Sequence, residues 1–522
     1  MRNPSCFKWN KPVSVCLIPV LVICMLFYFS SCASPEDEPE DPNSAEQIQD
    51  DTVLEYFTEV LEISRSGKNY PNDINEYIIS NLKGTGSKYE TDSAGNLIVE
   101  IPATEGMDDF PLVIMQCFTG DEIIISPSMI FDPDTDPVNI IERKGRIYGT
   151  DTSLGASSAF GIATILSVIT SEKKHTALRL LFLAGSRDDP KGIKNLPEKK
   201  LIGDILISLD GSESERIIIG APAAASLKSN VSIKSSKLPD ERRRAYVIAV
   251  SGFQGGRPML GDEITPDPIH MVTQVLTEAL SAGIIYDLAS FTGGGNGFDI
   301  PQEAEAIVVL GDYEEKQFRR IFNNIRTDWL RLYNINEEDS LYGPDIRMVE
   351  TELPEKVISN DDSSVVLTHL FTLLTSKMAS GEMGNSAVYI NDIDLSPLGF
   401  TAEAAVYALE EDNLEMLVNE YYELEKITKI PMIKTDSFPG FLTDPNDPQI
   451  EGLILAYSDA MGKKPKTSNQ AVIAYQGFIS AKNESLPIVI LGTDIRAKGQ
   501  LRESIAKKGI STAAKVIAEY IK

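Results

Sequence analysis

The chain has 522 residues, a formal net charge of −29 and only three histidines, His175, His270 and His369. Such a negative chain should repel nucleic acid and anionic membrane surfaces, which excludes nucleic-acid binding. Its length is sufficient for a large core divided between two domains.

Residues 1–31 have the layout of an export signal. Arg2, Lys8 and Lys11 precede an apolar run over residues 13–29, and small residues then lead to Cys32. This arrangement is similar to a bacterial lipoprotein signal, in which Cys32 becomes the lipidated first residue. The run is slightly shorter than a spanning helix needs, and an uncleaved membrane anchor is the alternative. We therefore predict a lipid-anchored protein of the cell envelope.

Residues 32–50 form an acidic, proline-rich segment, densest over residues 34–42. Such a composition predicts a solvated tether without a packed core. The acidic run also resembles surface-export signals of some bacterial lipoproteins, which favours the outer-membrane surface, and a plain spacer is the alternative. Cleavage would leave Cys32 and Cys117, so a lipidated Cys32 excludes an internal disulfide.

Residues 51–222 are predicted to form the first part of a catalytic-like domain. Apolar spacing predicts helices at 52–65, 72–82 and 159–169 and strands at 88–101, 112–115, 178–183 and 205–209, the first of them a hairpin that turns at 92–95. Continuous apolar strands that alternate with helices indicate a sheet covered by helices on both faces.

Residues 223–432 are predicted to form an inserted α+β domain, because half-exposed strands replace the buried ones. The predicted strands are 231–239, 245–252, 304–310, 386–394 and 403–409, and the predicted helices are 268–281, 315–332 and 414–425. Residues 433–522 complete the first domain, with a re-entry at 439–448, helices at 451–461 and 511–521, and a strand at 487–491. The sequence shows no internal repeat.

Several short motifs carry a family resemblance over residues 52–521. They are Gly95-Asn96-Leu97-Ile98, residues 102–107, Leu154-Gly155-Ala156, residues 204–207, Gly255-Gly256 and residues 300–304. In this order they resemble bacterial aminoacyl-histidine dipeptidases, also called cytosolic non-specific dipeptidases. The resemblance implies an α/β fold with a three-layer αβα zinc-peptidase-like catalytic domain and an inserted lid domain that mediates dimerisation.

Most of the metal site that the resemblance implies is replaced in this chain. The family uses two zinc ions, held by histidines and carboxylates, and a glutamate general base. The His-x-Asp position reads Cys117-Phe118-Thr119, the bridging aspartate reads Ser157, and the Glu-Glu pair reads Ser186-Arg187. Asp210 is the one retained ligand position.

The positions contributed by the lid and the C-terminus are replaced too. Arg257-Pro258 follows Gly255-Gly256 in place of His-Ser, Phe298 stands at the lid asparagine, and residues 496–502 contain no histidine. We therefore expect no metal. Arg187 would replace the metal charge and pair with Asp210, or would point to solvent instead.

A relocated site is the alternative. A shift of two residues in each loop would bring Asp121, Asp188 and Asp189 to the site, beside Asp210 and Asp151. An oxygen-only cluster favours Ca²⁺, Mg²⁺ or Mn²⁺ over zinc, and ordinary solvation of loop aspartates is the competing interpretation.

Other polar and aromatic features favour structural roles. Ser157 lacks a nearby histidine to activate it and is predicted to be a helix N-cap. Residues 293–297 are glycine-rich and are predicted to form a lid turn. His369 is predicted to be a packed or surface histidine, and Trp329 a core residue.

The function predicted from these features is that of a catalytically inactive envelope lipoprotein homologous to the dipeptidases. It would bind a peptide or a protein in the cleft between its domains, with homodimerisation through the lid. A purely structural role as a dimeric scaffold is a further possibility. The alternative is a residual metal-dependent dipeptidase or other hydrolase acting on small peptides through the relocated carboxylates, with a divalent cation, zinc in the family, as cofactor.

Overall fold

A computed structural model describes residues 45–64, 67–132, 134–172, 174–186, 190–238, 243–253, 255–256, 266–295, 297–333, 344–375 and 386–522. The predicted signal, Cys32 and most of the tether lie outside these ranges, as do Arg187, Asp188, Asp189, Arg257 and Pro258. Among the described helices, none has the length and apolar character that a membrane crossing requires.

The described elements alternate between helices and strands over most of the chain. The helices are α1 (Ala45–Leu61), α2 (Asn72–Asn81), α3 (Ala156–Ser171), α4 (Lys191–Asn195), α5 (Pro268–Ser281), α6 (Asp312–Leu332), α7 (Asn360–Thr375), α8 (Glu411–Thr428), α9 (Pro448–Met461), α10 (Gly477–Ser480) and α11 (Thr512–Tyr520). The strands are β1 (Lys88–Thr91), β2 (Leu97–Ile101), β3 (Val113–Phe118), β4 (Ile140–Arg143), β5 (Arg146–Gly149), β6 (Leu178–Leu183), β7 (Ile205–Gly211), β8 (Arg216–Ala221), β9 (Ala223–Val231), β10 (Ser235–Lys237), β11 (Arg244–Ser251), β12 (Asp287–Gly294), β13 (Ala304–Leu310), β14 (Asp345–Thr351), β15 (Lys356–Ile358), β16 (Ser386–Ser396), β17 (Gly399–Ala408), β18 (Met432–Phe438), β19 (Phe441–Leu442), β20 (Lys466–Asn469), β21 (Ile488–Gly492), β22 (Ile495–Arg496) and β23 (Ser504–Ala506).

The first sheet has nine strands among the described residues, in the order β1-β2-β6-β3-β7-β21-β8-β19, with β20 beside β8. Its centre is parallel: β6, β3, β7 and β21 run in the same direction. Side chains alternate between two cores. Ile205 and Ile207 face α1, α2, α3, α9 and α11, whereas Leu206 faces the core that contains α4 and α10. The sheet is therefore covered by helices on both faces, as the apolar strands predict.

The second sheet has eight strands among the described residues, in the order β14-β11-β13-β12-β16-β17-β9-β18. All its strands lie between Ala223 and Phe438, and all its pairings are antiparallel. One face packs against α5, α6, α7 and α8 in a single large core. The boundaries that the sequence predicts for the domains stay a prediction, since residues Glu46–Lys522 form one compact unit.

This second sheet consists of two similar halves that the sequence does not reveal. One half runs β11-α5-β12-β13-α6-β14, and the other runs β9-α7-β16-β17-α8-β18. Their strand orders, β14-β11-β13-β12 and β16-β17-β9-β18, are reversed about the β12–β16 pairing. This order fits two β-α-β-β-α-β units related by an approximate two-fold axis, with the first unit inserted after the first strand of the second.

Two helices begin at the same local signal. Asp267 precedes Pro268 and accepts the His270 N–H at 3.1 Å. Asp447 precedes Pro448 and accepts the Gln449 N–H at 2.8 Å. An aspartate cap satisfies a free N–H of the first turn, and a proline at the first position has no N–H to leave unpaired.

Several predicted boundaries were wrong. Residues 231–239 do not form one strand, because β9 ends at Val231 and β10 begins at Ser235. The glycine-rich turn begins later than predicted, because β12 continues to Gly294 and pairs with β13 and β16. The prediction for Trp329 is confirmed, since it is 7% exposed. His369 is fully buried and contacts Ser229, so it is a packed histidine.

Candidate functional site

The candidate site lies where parallel strands of the nine-stranded sheet end. β3 leads to Thr119, β6 leads to Ser186, and β7 carries Asp210 just before its end. The N-terminus of α3 brings Ser157 to the same edge. Carboxyl ends of parallel strands share one edge, so residues distant in sequence meet there.

A small sheet brings the C-terminal segment to this edge. β22, β23, β5 and β4 pair in that order, so β23 lies against β5. The Arg146 guanidinium on β5 joins them further, because it bonds to Ser504 on β23 and pairs with Asp494 at 2.6 Å. Residues 497–503, which connect β22 to β23, are thereby held beside α3 and β7.

Asp210 is the centre of the polar contacts. Its Oδ1 accepts a hydrogen bond from the Ser157 hydroxyl at 2.8 Å and lies 3.5 Å from the Lys498 ammonium. Lys498 also donates to the main-chain carbonyl of Asp210 at 3.2 Å. Both charged side chains are largely buried, with 17% of Lys498 and 13% of Asp210 exposed. The retained aspartate is therefore already paired with a cation.

Sequence reasoning missed Lys498. Residues 496–502 contain no histidine ligand, and the lysine within them carries a positive charge instead. Arg187, predicted as the partner of Asp210, lies outside the described residues, so that pairing stays a prediction. A buried carboxylate needs a nearby cation or hydrogen-bond donors, and within the described part of the chain Lys498 is the cation beside Asp210.

Ser157 is not the N-cap of α3, so that prediction was wrong. The helix begins at Ala156, and the preceding Gly155 adopts a left-handed conformation with φ of 63° and no side-chain cap. The Ser157 hydroxyl is directed to Asp210 instead. Glycine tolerates this backbone conformation, which turns the chain into the helix without a capping hydroxyl.

Two carboxylates bind the free N–H groups at the start of α3. Glu503 accepts hydrogen bonds from the N–H groups of Leu154 at 2.9 Å, Gly155 at 2.8 Å and Ala156 at 3.3 Å. Asp121 accepts the Ser158 N–H at 3.2 Å and also the Ser158 hydroxyl. Helix N-termini carry unpaired donors and a partial positive charge, so both carboxylates are well placed there.

Glu503 is 2% exposed, and nothing in its sequence surroundings marked it as a site residue. Burial raises the pKa of its carboxyl group, and the nearby charge of Asp121 raises it further. This pKa is lowered in turn, but not back to its usual value, by hydrogen bonds from the N–H groups of Gly155 and Ala156 and by the charge of Lys498. The competition shows that carboxylates are crowded on this side of the site.

Cys117 and Thr119, at the end of β3, have structural roles beside the site. Cys117 is 1% exposed, and burial, with the charge of Asp210, raises the pKa of its thiol well above the usual range. A thiol held in its protonated form is a poor zinc ligand. The Thr119 hydroxyl lies 3.0 Å from the Tyr70 hydroxyl and donates to the Leu183 carbonyl at 3.1 Å.

The described residues do not fit a two-zinc centre. Among the side chains that the structure describes, no group of three or more histidine, cysteine, aspartate or glutamate residues is arranged to hold a metal ion. Asp121 is engaged at the start of α3, Asp210 faces an ammonium, and Asp151 is exposed. A metal ion bound at Asp210 would meet the positive charge of Lys498 at close range.

Some of the positions that the resemblance assigns to the lid, Gly255-Gly256 and Phe298, lie within the described residues. Gly256 pairs with Ile300 in an isolated antiparallel bridge, and Arg257 and Pro258 follow outside the described residues. Phe298 packs edge-on against Tyr407 and Phe438, so it serves the core between the two sheets.

Comparison with known proteins agrees with this architecture. No family model matches the chain. It is 21% identical over 448 residues to the cytosol non-specific dipeptidase of Escherichia coli strain K12, an alignment that covers 80% of this chain and 86% of that protein.

The solved structures with a similar fold include two peptidases. The aminoacylhistidine dipeptidase of Vibrio alginolyticus superimposes with a TM-score of 0.74 and 16% identity, over 92% of this chain and 97% of that one. The aminopeptidase PepT of Bacillus cereus gives a TM-score of 0.52 and 13% identity, over 90% of this chain and 98% of that one. The predicted α/β fold is confirmed, and the chain is a homologue of the cytosol non-specific dipeptidase.

Proposed function

We propose that this protein is a catalytically silent homologue of the dipeptidases that has kept their fold as a binding module. The observation that carries the proposal is the ion pair between Asp210 and Lys498. In a peptidase of this type, a metal ion activates water and polarises the peptide carbonyl. An ammonium at this position neutralises the aspartate, but it offers no open coordination position for a water molecule.

The hydroxyl contacts support the same proposal. Ser157, at the position of the bridging aspartate, donates a hydrogen bond to Asp210 and adds no negative charge. Ser186, at the position of the general base, has no carboxylate with which to take a proton from water. The side chains therefore stabilise each other within the chain, and the ligand would be a small peptide or a protein segment bound in the cleft.

We place the protein at the cell envelope, anchored by lipid on Cys32 and separated from the membrane by the acidic tether. The outer-membrane surface is the face that the acidic run favours. Replacing Cys32 by serine should move the protein from the membrane fraction to the soluble fraction of fractionated cells. Retention of the variant in the membrane would contradict lipid anchoring. Homodimerisation through the lid stays a prediction that light scattering would test.

A residual hydrolase is the second candidate. It is supported by the grouping of three carboxylates at the start of α3, where consecutive residues bind Glu503, Asp210 and Asp121. Asp188 and Asp189 would complete an oxygen-rich cluster that suits Mn²⁺, Mg²⁺ or Ca²⁺ better than zinc.

Metal analysis separates the two candidates. The purified full chain would be dialysed against zinc, manganese and calcium and its bound metal measured by mass spectrometry, alongside an Asp210→Asn variant. We expect no stoichiometric ion in either protein, and no dipeptide hydrolysis above that of Asp210→Asn. One or two tightly held ions per chain, with hydrolysis abolished by a chelator, would establish the hydrolase instead.

A further inference from the structure

A cavity of about 360 Å³ opens beside the ion pair. Its lining includes Asp210, Lys498 and the segment 470–476, and Ile218, Ile473 and Ile490 supply apolar surface. These three isoleucines are at most 7% exposed. Small-molecule pockets span roughly 300–1,000 Å³, and most combine apolar walls with a few charged groups, so this cavity is the size of a small ligand's site.

Part of the polar wall is held in place before any ligand arrives. Gln476 is 1% exposed, and its amide nitrogen donates to the Ser208 hydroxyl at 2.7 Å. Glu213, at the exposed rim, already pairs with Arg216 at 3.0 Å. Asp210 and Lys498 are therefore the charged groups that a ligand would meet inside the cavity.

Both members of the ion pair retain bonding capacity. An ammonium donates three hydrogen bonds, and the contacts of Lys498 with Asp210 are 3.2 Å to the carbonyl and 3.5 Å to Oδ1, the latter long for such a bond. Oδ1 of Asp210 receives both side-chain contacts, while Oδ2 accepts no hydrogen bond from the part of the chain that the structure describes. An acceptor can join Lys498 and a donor can join Asp210.

Only a ligand that carries both charges satisfies both groups. A lone carboxylate bound to Lys498 would lie beside the negative Asp210, and a lone ammonium bound to Asp210 would lie beside the positive Lys498. In a free α-amino acid the two charged groups share one carbon, so the nitrogen and the carboxyl carbon are about 2.5 Å apart. This spacing suits a lysine and an aspartate whose charged atoms are 3.5 Å apart.

The spacing distinguishes an amino acid from a peptide. The terminal charges of an extended dipeptide are on the order of 7 Å apart, because each residue spans about 3.3–3.6 Å. We propose that the cavity beside Asp210 and Lys498 binds a free α-amino acid whose apolar side chain contacts Ile218, Ile473 and Ile490. This inference rests on the proposed replacement of metal by Lys498, and it narrows the ligand from peptides to single amino acids.

Calorimetric titration of the purified full chain tests the proposal with five probes. They are L-leucine, leucinamide, N-acetyl-leucine, glycyl-leucine and L-glutamate. We expect L-leucine to bind at least about tenfold more tightly than leucinamide and N-acetyl-leucine, because each blocked compound loses one charge-assisted hydrogen bond. Glycyl-leucine should also bind more weakly, and glutamate should fail because its side chain carries a charge into apolar surface.

Two lysine variants provide the matched comparison. Lys498→Met keeps the length of the side chain and should weaken L-leucine binding by about tenfold or more. Lys507→Met, which removes a partly exposed lysine paired with Glu142, should bind as the parent does. The probe series on the parent chain remains informative even if Lys498→Met fails to fold.

The outcomes separate this inference from the proposed function. Equal affinity for L-leucine and its blocked forms, or no binding of any probe, overturns the amino-acid assignment. Tighter binding of glycyl-leucine overturns it as well, but leaves the silent peptide-binding module standing. Hydrolysis of glycyl-leucine with a bound metal ion overturns both.

Discussion

Replacing Lys498 by methionine should destabilise the fold by about 3 kcal/mol, because Asp210 would remain as a buried charge without its cation. The side chains of the pair are only 17% and 13% exposed, so water reaches them mainly from the neighbouring cavity and restores only part of the lost interaction. Removing one partner of a fully buried pair costs about 3–5 kcal/mol. The 3.5 Å separation is long, and the Ser157 hydroxyl continues to donate to Asp210 at 2.8 Å, so we expect the lower end of this range.

Urea-induced unfolding, followed by fluorescence, measures this loss. Adding Asp210→Asn to Lys498→Met should recover part of the stability, because the stranded charge is then removed, and a double-mutant cycle gives the coupling between the two. Lys507→Met is the control: its pair with Glu142 is 37% and 55% exposed, and such pairs contribute about 0–1 kcal/mol. Equal losses for the two lysine variants, or no recovery with Asp210→Asn, would refute a buried ion pair at the site.

Three further predictions concern the wall of the site. Because the pKa of Glu503 is raised above 4.5 in the folded chain, the unfolded chain loses this proton first, and the unfolding free energy should fall as the pH rises between 4.5 and the folded pKa. Glu503→Gln should flatten that fall in urea titrations, and an unchanged slope would count against the shift. The thiol of Cys117 should resist alkylation in the folded chain and react after unfolding, as mass spectrometry of its peptide would show; modification of the folded chain would mean that the thiol is accessible. Gly161→Ala should destabilise the fold by about 1–3 kcal/mol, because the added Cβ would lie 2.5 Å from the Cys117 Cβ. Gly452→Ala on α9 should be tolerated, because its added Cβ meets only a ring carbon of Tyr520 at 3.3 Å. Equal stability of the two alanine variants would contradict this packing.

Local patterns were enough to predict much of the first sheet. The apolar strands at 178–183 and 205–209 could be predicted because each is buried on both faces and has polar turns at its ends. The Asp-Pro start of α5 is a signal of the same local kind, whereas α9 begins at Pro448, three residues before the predicted start. β8 and β9 were missed because they are separated by a single proline, Pro222, and their apolar residues do not alternate with polar ones.

The charge arrangement of the site could not be predicted from local pattern. Lys498 meets Asp210 across 288 positions, and Glu503 meets Leu154 across 349 positions. Both contacts depend on the pairing of β23 with β5, and these are short strands without a distinctive pattern. The two halves of the second sheet were hidden for a related reason, since one half interrupts the other between β9 and α7.

Each of the three carboxylates at the site is bound by hydrogen-bond donors or a cation of the chain itself. Asp210 has an ammonium and a hydroxyl, Asp121 has the N–H and hydroxyl of Ser158, and Glu503 has three N–H groups at the start of α3. Charged groups lose hydration on burial, and hydrogen bonds and opposite charge must compensate for that loss. Introducing a possible metal ligand by Lys498→His alone would therefore remove the cation beside Asp210 before any ion is bound. We expect that variant to be less stable than the parent in metal-free buffer, and to regain stability on zinc addition only if further ligands lie within reach, which thermal unfolding with and without zinc would reveal.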